Sequence, residues 1–347
     1  MKFCIPRLKR RSGLGNELIP WAKAFIAAAE LDLTLIDPVW NHNPRGYLRL
    51  FQQRPFTRLW HVLLPKLLPT YVFTRADYLA TGEHDFGSAI RAYAEQNGLR
   101  RRRHYVLIVE GMWAPRKPLR HARPYLLAAL YGTRHLARNL YELGKRLDER
   151  QLVIAVHIRR GDFKPPQPDT NYVEEMNTAL PMEWFVVVCR SLRARLGAEN
   201  VQFLLFSDGT PDDLRLFTDV FQPTTTAHQS HTDVSDLLAM SGADLLVCSR
   251  SWYSRWALLM ADIPYLWFRP ALDQADNRLF IRSGIPNPPQ PLREPVTPRG
   301  VPVGMDGALP DYLIGYLRYR LGMKAAATDL VMGGRVPADG FQNGEAS

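Results

Sequence analysis

The chain has 347 residues, of which 46% are hydrophobic and 22% are charged, and its formal net charge is +10. This composition excludes disorder over most of the chain and is sufficient for one large or two medium hydrophobic cores. The positive charge favours anionic partners, and no helix-turn-helix, zinc-finger or RNA-recognition pattern accompanies it to indicate nucleic acid.

The first half of the chain predicts an α/β unit over residues 1–150. Its expected elements are a strand at Phe3–Ile5, a turn at Gly13–Gly15, an Ala-rich helix at Asn16–Glu30, a strand at Leu31–Ile36, a helix at Phe86–Gly98 and a strand at Tyr105–Val109. Between Asp37 and Arg75 the chain is rich in aromatic residues, proline and arginine, and no secondary structure is assigned. Within it, His61–Phe73 is apolar enough to touch a membrane interface, but its two prolines favour core or domain packing.

The second half predicts another α/β unit over residues 151–323, joined to the first by helical sequence at Leu119–Leu147. Its expected elements are strands at Val153–Val156, Val201–Phe206, Leu245–Cys248 and Ile263–Phe268, a crossover helix at Met182–Leu196 and a helix at Pro310–Leu321. Proline-rich sequence at Asp276–Gly307 predicts an irregular loop. Residues 324–347, from Lys324 onwards, predict a disordered tail.

Polar residues follow three of these buried strands. They are His157, Arg159, Arg160 and Asp162 after the first strand, Asp208 after the second, and Ser249 and Ser251 after the third. In open α/β sheets the ligand crevice lies beyond the carboxyl ends of the strands. Guanidinium groups bind phosphate oxygens bidentately, and a hydroxyl-rich turn before a helix is an anion site. The pattern therefore predicts a site for a phosphate-bearing ligand.

Each of these residues also has a purely structural interpretation. The RRGD segment can form a solvated turn with internal ion pairs, and His157 can be a core histidine. Asp236 can be a helix N-cap, and Gly15 and Asn16 can serve only to cap the first helix. These alternatives make different predictions about exposure and hydrogen bonding.

Three segments of the sequence resemble the shared motifs of the fucosyltransferase superfamily, namely HIRRGD, FSDG and DLLAMSGADLLVCSRSWYSRWA. That superfamily includes the α-1,2-fucosyltransferases of glycosyltransferase family 11, the core and Nod-factor α-1,6-fucosyltransferases and the protein O-fucosyltransferases. SGLGNELIPWAKAF is similar to the helix start of family 11, with Glu17 where glutamine is usual, and VLIVEGMW is similar to its mid-chain strand. The resemblance is therefore closest to family 11.

The resemblance implies an α/β protein of the GT-B type, with two Rossmann-like halves and a cleft between them. It implies an inverting glycosyltransferase that moves fucose from GDP-fucose to a hydroxyl of a glycan or glycoconjugate. Carried over to this sequence, the donor-binding residues are His157 and Asp236 at guanine, Arg159 and Arg160 at the phosphates or sugar, and Asp208, Ser249, Ser251, Gly15 and Asn16 around them. Asp162 would fix the geometry of the arginines.

The expected chemistry uses Arg159 as the cation that stabilises the leaving diphosphate, without a metal or other cofactor. The segment most similar to a metal-binding Asp-x-Asp motif is Asp212-Asp213. It follows Pro211 at a predicted helix start, where carboxylates of the first turn normally interact with the helix dipole. The acceptor-activating carboxylate is left open: Asp169 is the first candidate, with Glu174 and Glu110 as alternatives.

The expected partners are a nucleotide sugar and a glycan or lipid-linked glycan acceptor, with the charge also suiting a peripheral contact with an anionic membrane. Met1–Arg11 has no apolar segment of a signal peptide, so the expected location is the cytoplasm, including the inner face of the membrane. Two alternatives stay open: a non-catalytic protein that binds a GDP-sugar or phosphoglycan, and a transferase that uses another nucleotide sugar.

Overall fold

The structure is a computed structural model that describes residues 1–9, 11–40, 43–113, 118–175, 177–271 and 300–333. Two parallel β-sheets, each flanked by helices, form its framework. This architecture confirms the predicted α/β class with two sheet-containing halves. None of the described helices is long and apolar enough to cross a membrane.

The first sheet has four parallel strands in the order β2-β1-β4-β3. They are β1 (Lys2–Arg7), β2 (Thr34–Leu35), β3 (Thr70–Phe73) and β4 (Tyr105–Glu110). Helix α1 (Leu14–Leu31) packs on this sheet through a long run of buried alanine and leucine side chains. The strand order changes direction between β1 and β4, so the loop that leads from β1 into α1 opens onto a crevice.

Among the described residues of the first half there are five further α-helices. They are α2 (Thr57–Leu67), α3 (Arg75–Ala80), α4 (Phe86–Gln96), α5 (Arg123–Tyr131) and α6 (Leu136–Gly144). Helix α2 and strand β3 occupy the region that the sequence left unassigned. The expected packing of His61–Phe73 into a core holds for Leu64 and Phe73, which are buried, but most other apolar side chains of α2 are exposed to solvent.

The second sheet has six parallel strands in the order β10-β9-β8-β5-β6-β7. They are β5 (Leu152–Ile158), β6 (Val201–Ser207), β7 (Thr224–Thr225), β8 (Leu245–Val247), β9 (Tyr265–Phe268) and β10 (Gly300–Val303). Counted within this half, the order is 3-2-1-4-5-6, which is that of a Rossmann fold. Its switch point lies between β5 and β8, the two strands that carry the first and third sequence motifs.

The α-helices in the described part of the second half are α7 (Met182–Leu196), α8 (Pro211–Phe221), α9 (Asp233–Ser241), α10 (Trp252–Met260) and α11 (Asp311–Gly333). Helix α11 continues past Lys324, so the prediction of a disordered tail is wrong for residues 324–333, while residues 334–347 lie outside the described part. The predicted irregular loop at Asp276–Gly307 falls largely on residues 272–299, which are also outside it, and its end forms β10.

One hydrophobic cluster runs through both halves of the molecule. Leu14 and Leu18 of α1 belong to the same buried cluster as Trp256 and Ala257 of α10. Trp256 Nε1 donates to the Gly15 carbonyl at 2.6 Å, which ties the start of α1 to α10. The crevices of the two sheets are therefore held against each other. The exact limits of the two halves, at residues 150 and 323, stay a prediction.

Candidate functional site

A cleft of about 430 Å³ lies where the carboxyl ends of β5, β6 and β8 face the start of α1. Most of the residues predicted for the site line it, namely Gly15, Asn16, His157, Arg159, Asp162, Asp208, Asp236 and Ser251. Arg160, Asp169 and Ser249 do not line it. Residues separated by more than 200 positions in the sequence are thus brought to one cavity by the two sheets.

Arg159 lies between two carboxylates at the cleft wall. Its guanidinium nitrogens are 2.5 Å from Asp162 Oδ1 and 2.5 Å from Asp208 Oδ2, and 20% of its side chain is exposed. Asp208 also accepts the backbone N–H of Arg160 at 2.8 Å. A Cβ atom at Gly161 would overlap the Asp208 carboxylate, so glycine lets this carboxylate approach the turn as it does. The internal ion pairs of the structural interpretation exist, and they position Arg159 on the cleft.

Ser249 joins the ends of the two strands that flank the switch point. Its hydroxyl donates to the carbonyl of His157 at 2.6 Å and accepts the backbone N–H of Arg159 at 2.8 Å. The residue is buried behind the cleft wall. Its hydroxyl therefore positions the Arg159 backbone, and a direct contact with phosphate stays a prediction.

His157 is buried, yet one edge of its ring reaches the cleft. Its Nδ1 lies 2.5 Å from Ser254 Oγ, and its ring lies 5.5 Å from that of Tyr253. Burial, with the nearby charge of Arg159, lowers the pKa of His157 to about 3. The imidazole is therefore neutral at physiological pH and carries one donor and one acceptor nitrogen.

Asp236 lies in the first turn of α9, whose N-cap residue is Thr232. The alternative that Asp236 is the helix cap is therefore wrong. Its Oδ1 atom is buried and has no hydrogen-bond partner among the described residues. Burial raises the pKa of Asp236 to about 7, with the hydroxyls of Thr232 and Thr226 acting in the opposite direction. Asp233, one turn earlier, also lines the cleft, and burial raises its pKa as well.

Two helix N-termini point into the cleft. Helix α1 begins after Gly13 with no side-chain cap, so capping does not explain Gly15 and Asn16 in its first turn. A Cβ atom on Gly15 would lie 2.9 Å from the Tyr253 backbone nitrogen, so glycine allows α1 and α10 to meet. Ser251 is the N-cap of α10 and accepts the N–H groups of Tyr253 and Ser254 at 3.1 and 3.3 Å. Both dipoles favour an anion here.

The sequence interpretation missed Arg45, which lines the cleft from the first half. Its guanidinium is exposed and makes no ion pair with any residue of the described ranges. Asn43 Oδ1 accepts the backbone N–H of Arg45 at 3.0 Å, and Asn43 Nδ2 donates to Glu17 Oε1 at 3.1 Å. Glu17 is fully buried, and burial raises its pKa to about 7. A buried network thus places the loop that carries Arg45.

Arg250 was also missed, although it stands within the third motif. It lines the cleft and donates to the backbone carbonyls of Tyr172, Val173 (3.0 Å) and Glu175 (3.2 Å). These contacts hold the loop after the first motif beside the cleft. Asp169 and Glu174, the candidate bases on this loop, are exposed and outside the cleft lining.

Two other predicted residues, Glu110 and Arg160, lie away from the cleft. Glu110 forms an ion pair with Arg7 at 2.6 Å and does not line the cavity, so its expected approach to the cleft is not observed. Burial lowers the pKa of Arg160, and the nearby charges of Asp213 and Glu183 act in the opposite direction. Asp213 closes a capping box with Thr210 at the start of α8, which confirms the helix-start role expected for that acidic pair.

No protein-family model matches the sequence. No curated protein matches it in sequence either.

Several solved structures are similar in fold. One is the fucosyltransferase NodZ from Bradyrhizobium, with 15% identity, a TM-score of 0.47 and coverage of 75% of this chain and 93% of that one. Another is NodZ α-1,6-fucosyltransferase soaked with GDP-fucose, with 16% identity, a TM-score of 0.48 and coverage of 79% and 96%. A third is POFUT1 in complex with GDP-fucose, with 14% identity, a TM-score of 0.44 and coverage of 76% and 94%. Because these values are low, the function of this chain rests on its own cleft residues.

Proposed function

We propose that the chain is a glycosyltransferase that transfers fucose from GDP-fucose to a hydroxyl of a glycan or glycoconjugate. The observation that carries the proposal is a single cleft with a carboxylate suited to guanine, Asp236, and a guanidinium suited to diphosphate, Arg159. Both groups follow from the strand-end motifs that resemble those of fucosyltransferases. The proposal specifies inversion at the anomeric carbon and no requirement for a metal ion.

The guanine end of the site is assigned to Asp236 and His157. Guanine presents two donors, N1–H and N2–H, along one edge, and a carboxylate can accept both. Asp236 supports this assignment because its buried Oδ1 lacks a partner, and a buried acceptor without a donor is costly. The neutral His157 ring supplies a hydrogen-bonding edge without a competing charge. A base with the donor and acceptor pattern of guanine would form hydrogen bonds with both Asp236 and His157.

The diphosphate end is assigned to Arg159 and to the N-termini of α1 and α10. The charge of Arg159 is balanced by Asp162 and Asp208. The Asp162 side chain is 66% exposed, so it can rotate into solvent when a phosphate takes its place. The planar fork of an arginine then binds two phosphate oxygens together. The two helix dipoles add positive potential without a titratable group.

In the proposed reaction the bond between the anomeric carbon of fucose and the β-phosphate oxygen breaks, and its electron pair leaves with GDP. The acceptor hydroxyl attacks the opposite face and gives up its proton. Arg159 stabilises the charge that grows on the departing phosphate. Asp169 remains the predicted proton acceptor; its loop, which Arg250 anchors through backbone carbonyls, would have to bring the carboxylate to the acceptor.

The test is incubation of the chain with GDP-fucose and a panel of glycan acceptors, with release of GDP and mass of the glycan product measured together. The proposal predicts GDP release that depends on acceptor and a product heavier by one fucose. Tight binding of GDP-fucose without either signal would identify a binding protein. Product formation only with another nucleotide sugar would contradict the assignment of the donor.

A further inference from the structure

Helix α2 exposes an apolar face to solvent. Leu67 is 71% exposed and Trp60 is 45% exposed, and Phe56, which precedes the helix, is 70% exposed. At 100° per residue Leu59, Trp60, Leu63 and Leu67 lie in one sector of about 100°. We call the exposed apolar residues of this region the α2 face; they are Phe56, Leu59, Trp60, Val62 and Leu67.

The side of the helix next to this sector attaches it to the protein. Leu64 packs in a small buried cluster with Ile5, Val106 and Ile108 of the first sheet. The helix is thus fixed by its narrow inner side, and its wider apolar side points outwards. Contiguous apolar surface of this kind is uncommon on a protein that has no partner for it.

The sequence segment that carries the α2 face has side-chain charges of one sign. Between Asp37 and Asp77 the sequence contains no acidic residue. Its basic residues are Arg45, Arg49, Arg54, Arg58, Lys66 and Arg75. Arg58 and Lys66 are exposed on α2 itself, beside the apolar sector. An apolar face with aromatic residues and a basic border is the pattern of a helix that lies in a membrane interface.

We propose that the α2 face docks the protein onto an anionic lipid surface. Tryptophan, phenylalanine and leucine enter the boundary between headgroups and acyl chains, while Arg58 and Lys66 meet the lipid phosphates. A second copy of this chain is a poorer occupant, because two strongly basic segments would then face each other. The positive net charge of the whole chain acts in the same direction.

The docking is tested by flotation of the full chain with vesicles of phosphatidylcholine alone and of phosphatidylcholine with phosphatidylglycerol. The parent chain is expected to float with the anionic vesicles only. Trp60→Ser combined with Leu67→Ser should lower the partition coefficient at least about tenfold, because two buried apolar side chains are lost. Leu79→Ser combined with Tyr131→Ser removes two similarly exposed side chains elsewhere and should leave it unchanged.

The charge contribution is tested by Arg58→Gln combined with Lys66→Gln. Each basic residue near an anionic surface strengthens binding by roughly fivefold, so a loss of roughly 30-fold is expected at low salt. Arg134→Gln combined with Arg138→Gln, on exposed positions near α6, is the matched control. Equal melting temperatures of all variants establish that the fold is retained.

Three outcomes would overturn the docking. They are no flotation of the parent chain with anionic vesicles, unchanged flotation of both α2 variants, and a dimer in light scattering that the Trp60 and Leu67 variant dissociates. The last outcome would assign the face to a second copy of the chain. Flotation requires no GDP-fucose, so a failure of the transferase assay leaves this result interpretable by itself.

Discussion

Arg159 shows how one side chain can satisfy both interpretations that its sequence motif allows. The ion pairs with Asp162 and Asp208 brace the turn after β5, as expected of a solvated RRGD segment. The same ion pairs hold the guanidinium at the wall of the cleft, where a diphosphate would replace one carboxylate. The two roles of Arg159 predict different kinetics.

Arg159→Lys keeps the positive charge but removes the planar fork. If Arg159 acts on the departing phosphate, kcat should fall on the order of 100-fold, as for the loss of one donor to a developing oxyanion, while GDP affinity falls less. Measurement of kcat, GDP affinity and melting temperature on one preparation checks this. Arg215→Lys, which alters an exposed ion pair with Asp212, is the control.

A purely structural Arg159 would give a different pattern. The lysine variant would then melt at a lower temperature and keep its specific activity. A normal kcat in a folded variant would remove Arg159 from the mechanism.

Asp236→Asn tests the recognition of guanine. The amide keeps one acceptor oxygen but places its own N–H group against an N–H group of guanine. The preference for GDP over ADP should therefore shrink by about 1–3 kcal/mol. Equilibrium binding of both nucleotides to parent and variant measures it. An unchanged preference would show that the carboxylate does not contact the base.

The pKa of Asp236 gives that contact a pH dependence. The carboxyl group must be ionised to accept two donors, and burial places its pKa at about 7 in the free protein. As the pH falls from 8 to 6, the ionised fraction falls about tenfold, and the GDP affinity should fall with it. The ratio of parent to Asp236→Asn affinity at each pH cancels the titration of the phosphate. A flat ratio would contradict the assignment.

At the scale of elements, the sequence predicted the second half better than the first. Strands such as Val201–Ser207 are short, mostly apolar runs bounded by polar residues, and helix α7 has the limits that its pattern indicates. In the first half α2 has the opposite polarity to an ordinary surface helix, with apolar residues outside and Pro65 within it. Pattern reasoning assumes that apolar side chains face a core, so it could not assign this helix.

The same difference explains which site residues were predicted. His157, Arg159 and Asp236 stand at or near strand ends, where the order of a parallel sheet brings residues together. Arg45 lies on a loop whose path depends on the buried contact between Asn43 and Glu17. The position of that loop can be predicted only if the contact between Asn43 and Glu17, which are far apart in the sequence, is already known. The absence of acidic residues between Asp37 and Asp77 was the sequence feature that could have indicated a basic residue such as Arg45 at the cleft.

Gly15→Ala tests the contact between α1 and α10. The new methyl group would press on the Tyr253 backbone, which cannot move aside as a side chain can. The free energy of unfolding should fall by about 1–3 kcal/mol, as for other overpacked sites. Gly315→Ala in α11 adds a methyl group in open space and should stabilise the chain by about 0.5–1 kcal/mol. Equal effects in denaturant unfolding would show that the two helix starts are not in tight contact.

At the scale of the whole molecule, the cleft is shared by two sheets with one continuous core. The second half supplies the groups proposed to recognise the nucleotide. The first half adds a helix N-terminus and Arg45 from the opposite wall.

Charge stabilisation by Arg159 and two helix N-termini predicts that transfer needs no divalent cation. Activity should be unchanged after dialysis against excess EDTA, measured as GDP release. Loss of activity that magnesium or manganese restores, while EDTA-treated protein keeps its melting temperature, would show that a cation supplies the stabilisation instead.

The central claim is that the cleft binds a guanosine diphosphate sugar, and calorimetric titration of the full chain with a set of nucleotides tests it most directly. GDP and GDP-fucose should bind with a stoichiometry of one and compete with each other. ADP and UDP should bind at least about tenfold more weakly, equivalent to ~1.4 kcal/mol. Equal affinity for the three nucleoside diphosphates, or no binding of GDP to the folded chain, would contradict the account.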